Sequence, residues 1–560
     1  MYKYLSANVL SSSSQRMLRP ARRLQASCAR ILVGGCPIRR FAFGCFSAFV
    51  LLAAASLTNL LTFGLAQAEP LPTKAARTEP LGKAADVFKS VFAGVQERTL
   101  SNGLRVVIYP RGDAPVFAGV VSVRVGGTDE RIGETGISHM FEHMAFKGTP
   151  EVGTTNFERE TKLLADLEPL AERQAAFGTE FSAEDKKQWE QIHQELRALW
   201  VSDQFTREYE RRGAAGMNAT TDSEITKYFV NLPRSQFEFW LYMESERLLR
   251  PVLRQFYQER DVVLEERRMR YDDDPEGKLY ELLKATSFIA HPYKNPVIGF
   301  PFDLKRLTAT QLDQFRRRFY VPGNIAVALV GDIRPSEDWP LIESYFGRLP
   351  VAPLPSRPQV VEPDQEGERQ VTLETKASPQ FYIAYRKMQY PHPDDAPVSV
   401  MLEMLAGSKI SPLQRTLVQR KRLATEVSFM EGPGVAYPNL MMFGATPRAP
   451  HSSREVLQAF DQGIEDFKKS GITQDSLEIA KRAIAVSYLG QLSSNSAMGT
   501  NFANSVLLYQ DWKAPFDWYE KAMAVTVGDI ERVTRQYLVK KSRTVAFLEK
   551  SASLERSTNK

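Results

Sequence analysis

Two histidines and a glutamate lie within residues 139–143, and these residue types can bind a metal and move a proton. His139 and His143 are four residues apart, and Glu142 is three residues after His139. The flanking residues are mostly apolar or small, and the segment itself contains no proline before Pro150. It is therefore predicted to be a helix. On a helix, this spacing places all three side chains on one face.

The H-x-x-E-H order of these residues favours a zinc site. Two imidazoles suit Zn²⁺, and a carboxylate beside the open coordination position can take a proton from a bound water. The alternative is a pair of incidental histidines on a half-buried helix. The scarcity of histidine, with six residues in 560, disfavours that alternative.

A catalytic zinc site normally has three protein ligands, so a third ligand must come from elsewhere in the chain. The best candidate segment is 258–267, where Glu259 and Glu266 are two helical turns apart and share a face. The alternative is a charged helix on the solvated surface. The histidine pair favours a carboxylate ligand from this second helix.

Several separate segments resemble the pitrilysin/insulinase family of zinc metallopeptidases, the inverted zincins, which include the mitochondrial processing peptidase. The matching segments are 126–130, 136–149, 218–221 with Tyr228, and 259–266. The resemblance is strong between about 95 and 335 and weak elsewhere, and the combination of separate matches makes it specific.

The resemblance implies a role for each matching residue. His139, His143 and Glu266 would bind one zinc ion per chain. Glu142 would be the general base, and Glu259 would be a second acidic residue that braces the site through hydrogen bonds.

The resemblance also implies a substrate-binding strand. In the family, a strand that matches 213–221 lies at a sheet edge and takes the substrate as an added strand, so main-chain hydrogen bonds allow broad recognition. Asn218 and Ala219 are the candidates on this strand, and Tyr228 is the candidate to orient the substrate or brace the site. Asn218 is alternatively a turn residue, and Tyr228 is alternatively a core aromatic.

The implied fold is α+β, with two homologous domains that each contain a mixed, mostly antiparallel sheet packed with helices. A helix followed by a closing strand recurs at 320–329 and 537–548, which also indicates a duplicated domain. The predicted parts are a catalytic domain at 91–335 with a helical insertion at 171–210, a Pro-rich linker at 336–368 and an inactive domain at 369–550. The insertion is either a plain surface element or part of a lid or partner contact.

The first 68 residues contain eight basic residues and no acidic residue, with a long apolar run from 41 to 65 that ends in Ala-Gln-Ala. This pattern predicts a secretory signal peptide cleaved after Ala68, with 69–90 as a tether. Export to the periplasm or secretion follows from that cleavage. The alternative is an uncleaved membrane anchor, because the apolar run is long enough to span a bilayer.

Cleavage after Ala68 would change the bulk properties of the chain. The formal charge falls from +6 to −2 because eight basic residues leave, so no nucleic-acid partner is predicted. Cys28, Cys36 and Cys45 all precede the cleavage site. The mature chain therefore has no disulfide, no cysteine nucleophile and no cysteine ligand for zinc.

The predicted function is that of an exported zinc endopeptidase, which hydrolyses peptides or unfolded protein segments through a metal-activated water. The alternative is a non-catalytic or precursor-processing subunit of a heterodimeric peptidase. Family members that act as single chains often carry an Arg and a Tyr, seven apart, that stabilise the oxyanion. Val418 and Thr425 occupy those positions here. Either this domain works differently, or a homologous partner subunit supplies the pair, and the partner subunit is the leading hypothesis.

Overall fold

The structure is a computed structural model that describes residues 87–112, 114–177, 181–357 and 359–551. The predicted signal peptide lies outside these ranges, as does the predicted tether up to residue 86. Within the described ranges, no helix combines the length and apolar character that crossing a bilayer requires.

Two β-sheets form the framework of the described chain, and they lie in one compact unit. The strands of the first sheet are β1 (Gln96–Thr99), β2 (Arg105–Pro110), β3 (Val116–Val123), β4 (Ala215–Thr221), β5 (Thr226–Pro233) and β6 (Ile325–Gly331). Those of the second sheet are β7 (Arg369–Thr375), β8 (Gln380–Lys387), β9 (Ala424–Gly432), β10 (Asn439–Pro447) and β11 (Arg543–Lys550).

The helices lie between these strands in both halves of the chain. The first half contains α1 (Ile137–Met144), α2 (Phe157–Phe177), α3 (Ala183–Leu199), α4 (Gln204–Glu210), α5 (Phe237–Leu249), α6 (Phe256–Arg267), α7 (Pro275–Ser287), α8 (Pro301–Arg306), α9 (Ala309–Phe319) and α10 (Pro335–Phe346). The second half contains α11 (Asp395–Ala406), α12 (Ser453–Asp466), α13 (Gln474–Leu492), α14 (Asn495–Tyr509), α15 (Ala514–Ala524) and α16 (Val527–Tyr537).

The two sheets share one topology. The first has the order β1-β2-β6-β3-β5-β4, and the second has the order β7-β11-β8-β10-β9. In each sheet the closing strand, β6 or β11, runs parallel to one neighbour, and all other pairs are antiparallel. The predicted α+β class and the duplication are therefore confirmed, with β1 as an addition to the first half.

Each half covers part of the sheet of the other half. Helix α14 of the second half packs on β3 and β6, where Phe502 and Val506 join a buried cluster with Val120 and Val330. Helix α7 of the first half packs on β7, β8 and β11. Strand β6 is buried along its whole length, which explains its uninterrupted apolar sequence.

The described residues correct two predicted boundaries. The linker does not begin at 336, because α10 occupies Pro335–Phe346 and buries Trp339, Ile342 and Phe346 at helical spacing. The tether ends before 90, because residues 87–94 are helical and Phe88 is buried against aromatic residues of the second half. The prolines and the polar composition of these segments obscured their apolar faces.

The helical insertion at 171–210 is continuous with α2 and is not a plain surface element. Helices α2 and α3 pack against each other. They contribute Leu170, Ile192 and Leu196 to the hydrophobic core between the first sheet and the helices of the first half. We refer to α2 and α3 together as the helical hairpin. Its apolar face is part of the domain that carries the predicted metal ligands.

The exchange of helices between halves predicts a single unfolding transition. The Phe502→Ala substitution in α14 removes a ring that is 1% exposed, so we expect the free energy of unfolding to fall by about 3–5 kcal/mol. The same helix bears on the sheet of the first half, so chemical denaturation should show one shifted transition. The control is Val486→Ala, which alters an exposed side chain and should change stability by about 0.5 kcal/mol or less. Two transitions, of which only one shifts, would contradict the coupling.

Candidate metal centre

Helix α1, which carries His139, Glu142 and His143, begins at a glycine that no other residue can replace without strain. Gly136 has φ +88°, and a Cβ atom there would lie 2.5 Å from the Ile298 carbonyl oxygen. The backbone N–H groups of Gly136 and Ser138 donate to the two carboxylate oxygens of Glu130, at 2.8 and 2.9 Å. A carboxylate at a helix N-terminus stabilises the helix. Glu130 therefore fixes where α1 starts.

The predicted ligands meet at one point. His139, His143 and Glu266 each offer a ligand atom, and these atoms all lie within 4.8 Å of one another. Glu266 Oε2 is 3.7 Å from His139 Nε2 and 3.4 Å from His143 Nε2. Tetrahedral zinc with bonds of about 2.0–2.1 Å separates its ligand atoms by about 3.3 Å. The residues present therefore fit a zinc ion.

The predicted bracing residue Glu259 holds the ring of one ligand. Its Oε1 atom is 2.8 Å from His143 Nδ1, and its Oε2 atom is 2.6 Å from Lys147 Nζ. This arrangement leaves His143 Nε2 directed at the shared point. His139 Nδ1, in contrast, is buried and has no hydrogen-bond partner among the described protein atoms.

The ionised carboxylates of Glu266 and Glu259, together with a neutral His139, favour a cation at the centre. Burial, together with nearby His143, lowers the pKa of His139 to about 4, so this imidazole is neutral. Burial opposes ionisation of Glu266, yet the hydrogen bond from His143 and the charge of Arg270 lower its pKa to about 2. Burial likewise opposes ionisation of Glu259, but His143 lowers its pKa. Burial opposes a charge on His143, and the two carboxylates raise its pKa to about 9.

Glu142 lies between the metal ligands and the end of a strand. Its side chain is buried, and its Oε2 atom accepts a 2.6 Å hydrogen bond from Thr221 Oγ1 at the last residue of β4. Burial raises the pKa of Glu142 above its usual value, despite the Thr221 hydrogen bond. A carboxylate with a raised pKa is suited to accept and return a proton near neutral pH.

Strand β4, which carries Asn218 and Ala219, is the edge strand of the first sheet. Asn218 is exposed, and its Oδ1 atom accepts a 2.9 Å hydrogen bond from the Ala219 N–H group, whereas Ala219 itself is buried. Among the described residues, β4 pairs with β5 alone, and its other side has no neighbouring strand. Such an edge can accept an extended peptide through main-chain hydrogen bonds.

The burial of Tyr228 contradicts its predicted contact with substrate. The residue is 1% exposed, and its hydroxyl is 3.0 Å from that of Tyr320. The Arg247 guanidinium lies 4.2 Å from the centre of its ring. Alternate residues of β5 face the core, and Tyr228 is one of them. These contacts are those of a core aromatic beneath α1, and a role in bracing the site stays a prediction.

Four residues that contact the metal centre or its helix were not identified from the sequence. Glu130, Lys147 and Thr221 lie in the matching segments, but nothing in their local sequence indicates which distant side chain each contacts. Arg270 Nη2 is 3.0 Å from Glu266 Oε1, and its position four residues after Glu266 could have indicated this contact.

Comparison with a family model identifies the second half of the fold. The model described as the peptidase M16 inactive domain matches residues 306–484. This match begins at the end of the first half and covers most of the second, where no H-x-x-E-H sequence occurs.

Named relatives and solved structures match most of the chain. The chain is 27% identical over 462 residues to the zinc protease PqqE of Helicobacter pylori, covering 80% of this chain and 91% of that protein. The crystal structure of a protease from Helicobacter pylori has a TM-score of 0.69 and 25% identity, covering 81% and 99% of the two chains. The crystal structure of the periplasmic protease PqqL from Escherichia coli has the same fold at 17% identity, with a TM-score of 0.62 and coverage of 83% and 48%.

Two glycines before α1 test how the helix is positioned. Gly136→Ala and Gly133→Ala both place a Cβ at positive φ, which costs about 1–2 kcal/mol each. Only at Gly136 would that Cβ meet other atoms, because nothing lies within 4 Å of it at Gly133. We expect Gly136→Ala to reduce the free energy of unfolding by a further 1–3 kcal/mol or so, and to weaken zinc binding. Equal losses in denaturant titrations of the two variants would contradict the close packing described here.

Proposed function

The chain belongs to the M16 peptidases, the pitrilysin/insulinase family, and from this premise we propose that it is an exported zinc-dependent endopeptidase. The observation that carries the proposal is the convergence of His139, His143 and Glu266 on one point, with the buried Glu142 on the same helix face. The zinc proteases among its relatives support the same metal.

The residues around the metal point have distinct roles in the proposed reaction. Zinc would supply a Lewis acid that polarises the scissile carbonyl and makes a water more acidic. Glu142 accepts the proton of the attacking water and returns it to the leaving amine, and Thr221 holds the Glu142 carboxylate in place. Glu259 fixes the orientation of His143, which keeps its Nε2 atom available as a ligand.

The proposed substrate is an extended peptide or an unfolded protein segment that adds to the free side of β4. Main-chain pairing would supply affinity without a strict sequence requirement, and Asn218 lies exposed beside the added strand. Thr221 ends β4 and contacts Glu142, so a peptide on this edge leads its backbone towards the general base. This geometry favours cleavage within a chain over removal of a terminal residue.

Two observations support export. The first 68 residues have the composition of a cleaved signal peptide, with eight basic and no acidic residues and a long apolar run. The fold is shared with a protease that is described as periplasmic. Membrane association would then require that the N-terminal segment is retained.

A second candidate function is that of one subunit of a heterodimeric peptidase, which processes peptides or precursors with a partner. The observation that favours it is the pair Val418 and Thr425, where single-chain relatives often carry Arg and Tyr. Val418 lies in a helical segment, and Thr425 is exposed in β9, where its hydroxyl donates to the Thr446 carbonyl oxygen. A homologous chain that carries the Arg and Tyr would complete the site.

The Glu142→Gln substitution separates metal binding from catalysis. We expect one zinc per chain to remain bound, while cleavage of a quenched peptide falls by about 10²–10⁴-fold because the proton acceptor is lost. The matched control is Glu265→Gln, which alters an exposed carboxylate paired with Arg268 and should leave cleavage unchanged. In the wild type, a chelator should abolish cleavage and added zinc should restore it. Substantial turnover by Glu142→Gln would remove the assigned role, and a zinc-loaded wild type without peptidase activity would favour a non-catalytic subunit.

The missing Arg and Tyr predict that the mature chain alone is a weak peptidase. Loss of one oxyanion-stabilising group typically costs about 10²–10³-fold in kcat, so we expect a comparable stimulation by a homologous chain that carries the pair. Size-exclusion chromatography with activity measured across the eluted fractions would locate the active species. A fully active monomer that elutes alone would contradict the need for a partner.

A further inference from the structure

A second set of buried contacts joins the helical hairpin to the metal centre. We infer that Arg254 and Lys147 are positioning residues of that centre, and that the ion pair of Arg254 with Glu160 makes the hairpin a brace for the metal ligands. The inference rests on the proposed function for the identity of the metal. It assigns a role to the helical hairpin, whose part after residue 170 the sequence left as either a plain surface element or part of a lid or partner contact.

Arg254 has all five of its N–H donors engaged, although it is 2% exposed. Its Nε and Nη2 atoms donate to the two carboxylate oxygens of Glu160, at 2.9 and 3.0 Å. The other donors reach the carbonyl oxygens of Lys147 at 2.6 Å, Val152 at 2.7 Å and Thr149 at 2.9 Å. A bidentate guanidinium–carboxylate pair fixes both partners in orientation as well as distance. Arg254 therefore holds the loop that follows α1.

The loop after α1 is shaped around this guanidinium group. Gly148 and Gly153 both have positive φ, at +96° and +110°. A Cβ atom would lie 2.9 Å from Arg254 Nη1 at Gly148 and 2.4 Å from it at Gly153. A larger residue would collide with Arg254 at Gly153, and with both the Val152 carbonyl oxygen and Arg254 at Gly148.

Lys147 connects the clamped loop to a metal ligand. Arg254 holds its main-chain carbonyl, and its ammonium group lies 2.6 Å from Glu259 Oε2, whose other oxygen is 2.8 Å from His143 Nδ1. A lysine side chain is long and flexible, so its ammonium group is well placed only where its backbone is fixed. The contacts thus form one path from Glu160 to His143, in which every link is a charged or main-chain hydrogen bond.

The hairpin also contacts the helix that supplies the other ligand. Glu168 of α2 accepts hydrogen bonds from the Tyr257 hydroxyl at 2.5 Å and from the Thr310 N–H group at 2.7 Å. The ring of Trp189 in α3 lies 5.1 Å from that of Tyr257 in an edge-on contact. Tyr257 lies in the first turn of α6, which carries Glu259 and Glu266. The hairpin therefore contacts α6 through Tyr257 and the loop after α1 through Arg254. This is the role of a brace and not that of a lid.

Zinc affinity of the metal-free protein, measured by competition with a chromophoric chelator, tests the inference without relying on activity. We expect Lys147→Met to weaken zinc binding by about 10–100-fold, as loss of a supporting contact to a ligand typically does, with the unfolding midpoint of the metal-free protein unchanged. The matched control is Lys162→Met, which removes an exposed lysine paired with Glu158 on the surface of α2 and should not alter zinc affinity.

A double-mutant cycle tests whether Arg254 acts through Lys147. Arg254→Lys keeps the positive charge but loses the bidentate hydrogen bonds of the guanidinium group. We expect it to weaken zinc binding by about tenfold or more. In that background, Lys147→Met should cost much less than it does alone, because the link is already broken. Glu160→Gln provides the same cycle if Arg254→Lys does not fold.

Unchanged zinc affinity in Lys147→Met, or effects that multiply fully in the double variant, would overturn the inference. A lower unfolding midpoint with unchanged affinity would also overturn it, since that is the result of a purely structural role. Failure of the proposed function has a different signature, because a wild type that binds zinc but cleaves no peptide still permits all of these affinities to be measured. A wild type that binds no zinc would overturn both.

Discussion

The convergence of α1 and α6 on one point is the constraint on which the rest of the structure depends. Two imidazoles and a carboxylate from helices far apart in sequence must keep their ligand atoms within 4.8 Å of one another, with Glu266 Oε2 at 3.4–3.7 Å from the two imidazole nitrogens. The buried carboxylates are tolerated only because each has a cationic or hydrogen-bonding partner, since an unpaired buried charge is costly. Glu130 binds the N-terminus of α1, and Arg254 binds the loop that follows its C-terminus. Contacts therefore hold the helix at both ends.

Local spacing and resemblance predicted the ligands, while the supporting contacts could not be predicted. The spacing of His139 and His143 follows from helix geometry alone, and the resemblance supplied Glu266. Arg254 is 94 residues from Glu160 and 107 from Lys147, and local sequence patterns do not predict contacts between such distant residues. The fold class followed from duplication and resemblance, because both halves carry the same order of elements.

The errors of the sequence-based prediction have specific physical causes. Tyr228 resembles a substrate residue in its segment, but the two-residue period of β5 turns its ring into the core. Pro335 and Pro340 indicated a linker. Pro335, however, lies in the first turn of α10, where proline fits, and Trp339, Ile342 and Phe346 of this helix are buried in the core of the first half. In both cases the tertiary environment decided a choice that the local sequence left open.

The exchange of α7 and α14 between the halves has a consequence for the stability of the first half. The second half contains no H-x-x-E-H sequence, yet its helix α14 covers one face of the sheet that carries β3 and β6. Deleting that half would expose Val120 and Val330 to water. The second half therefore contributes to the stability of the first half, although it contains no H-x-x-E-H sequence.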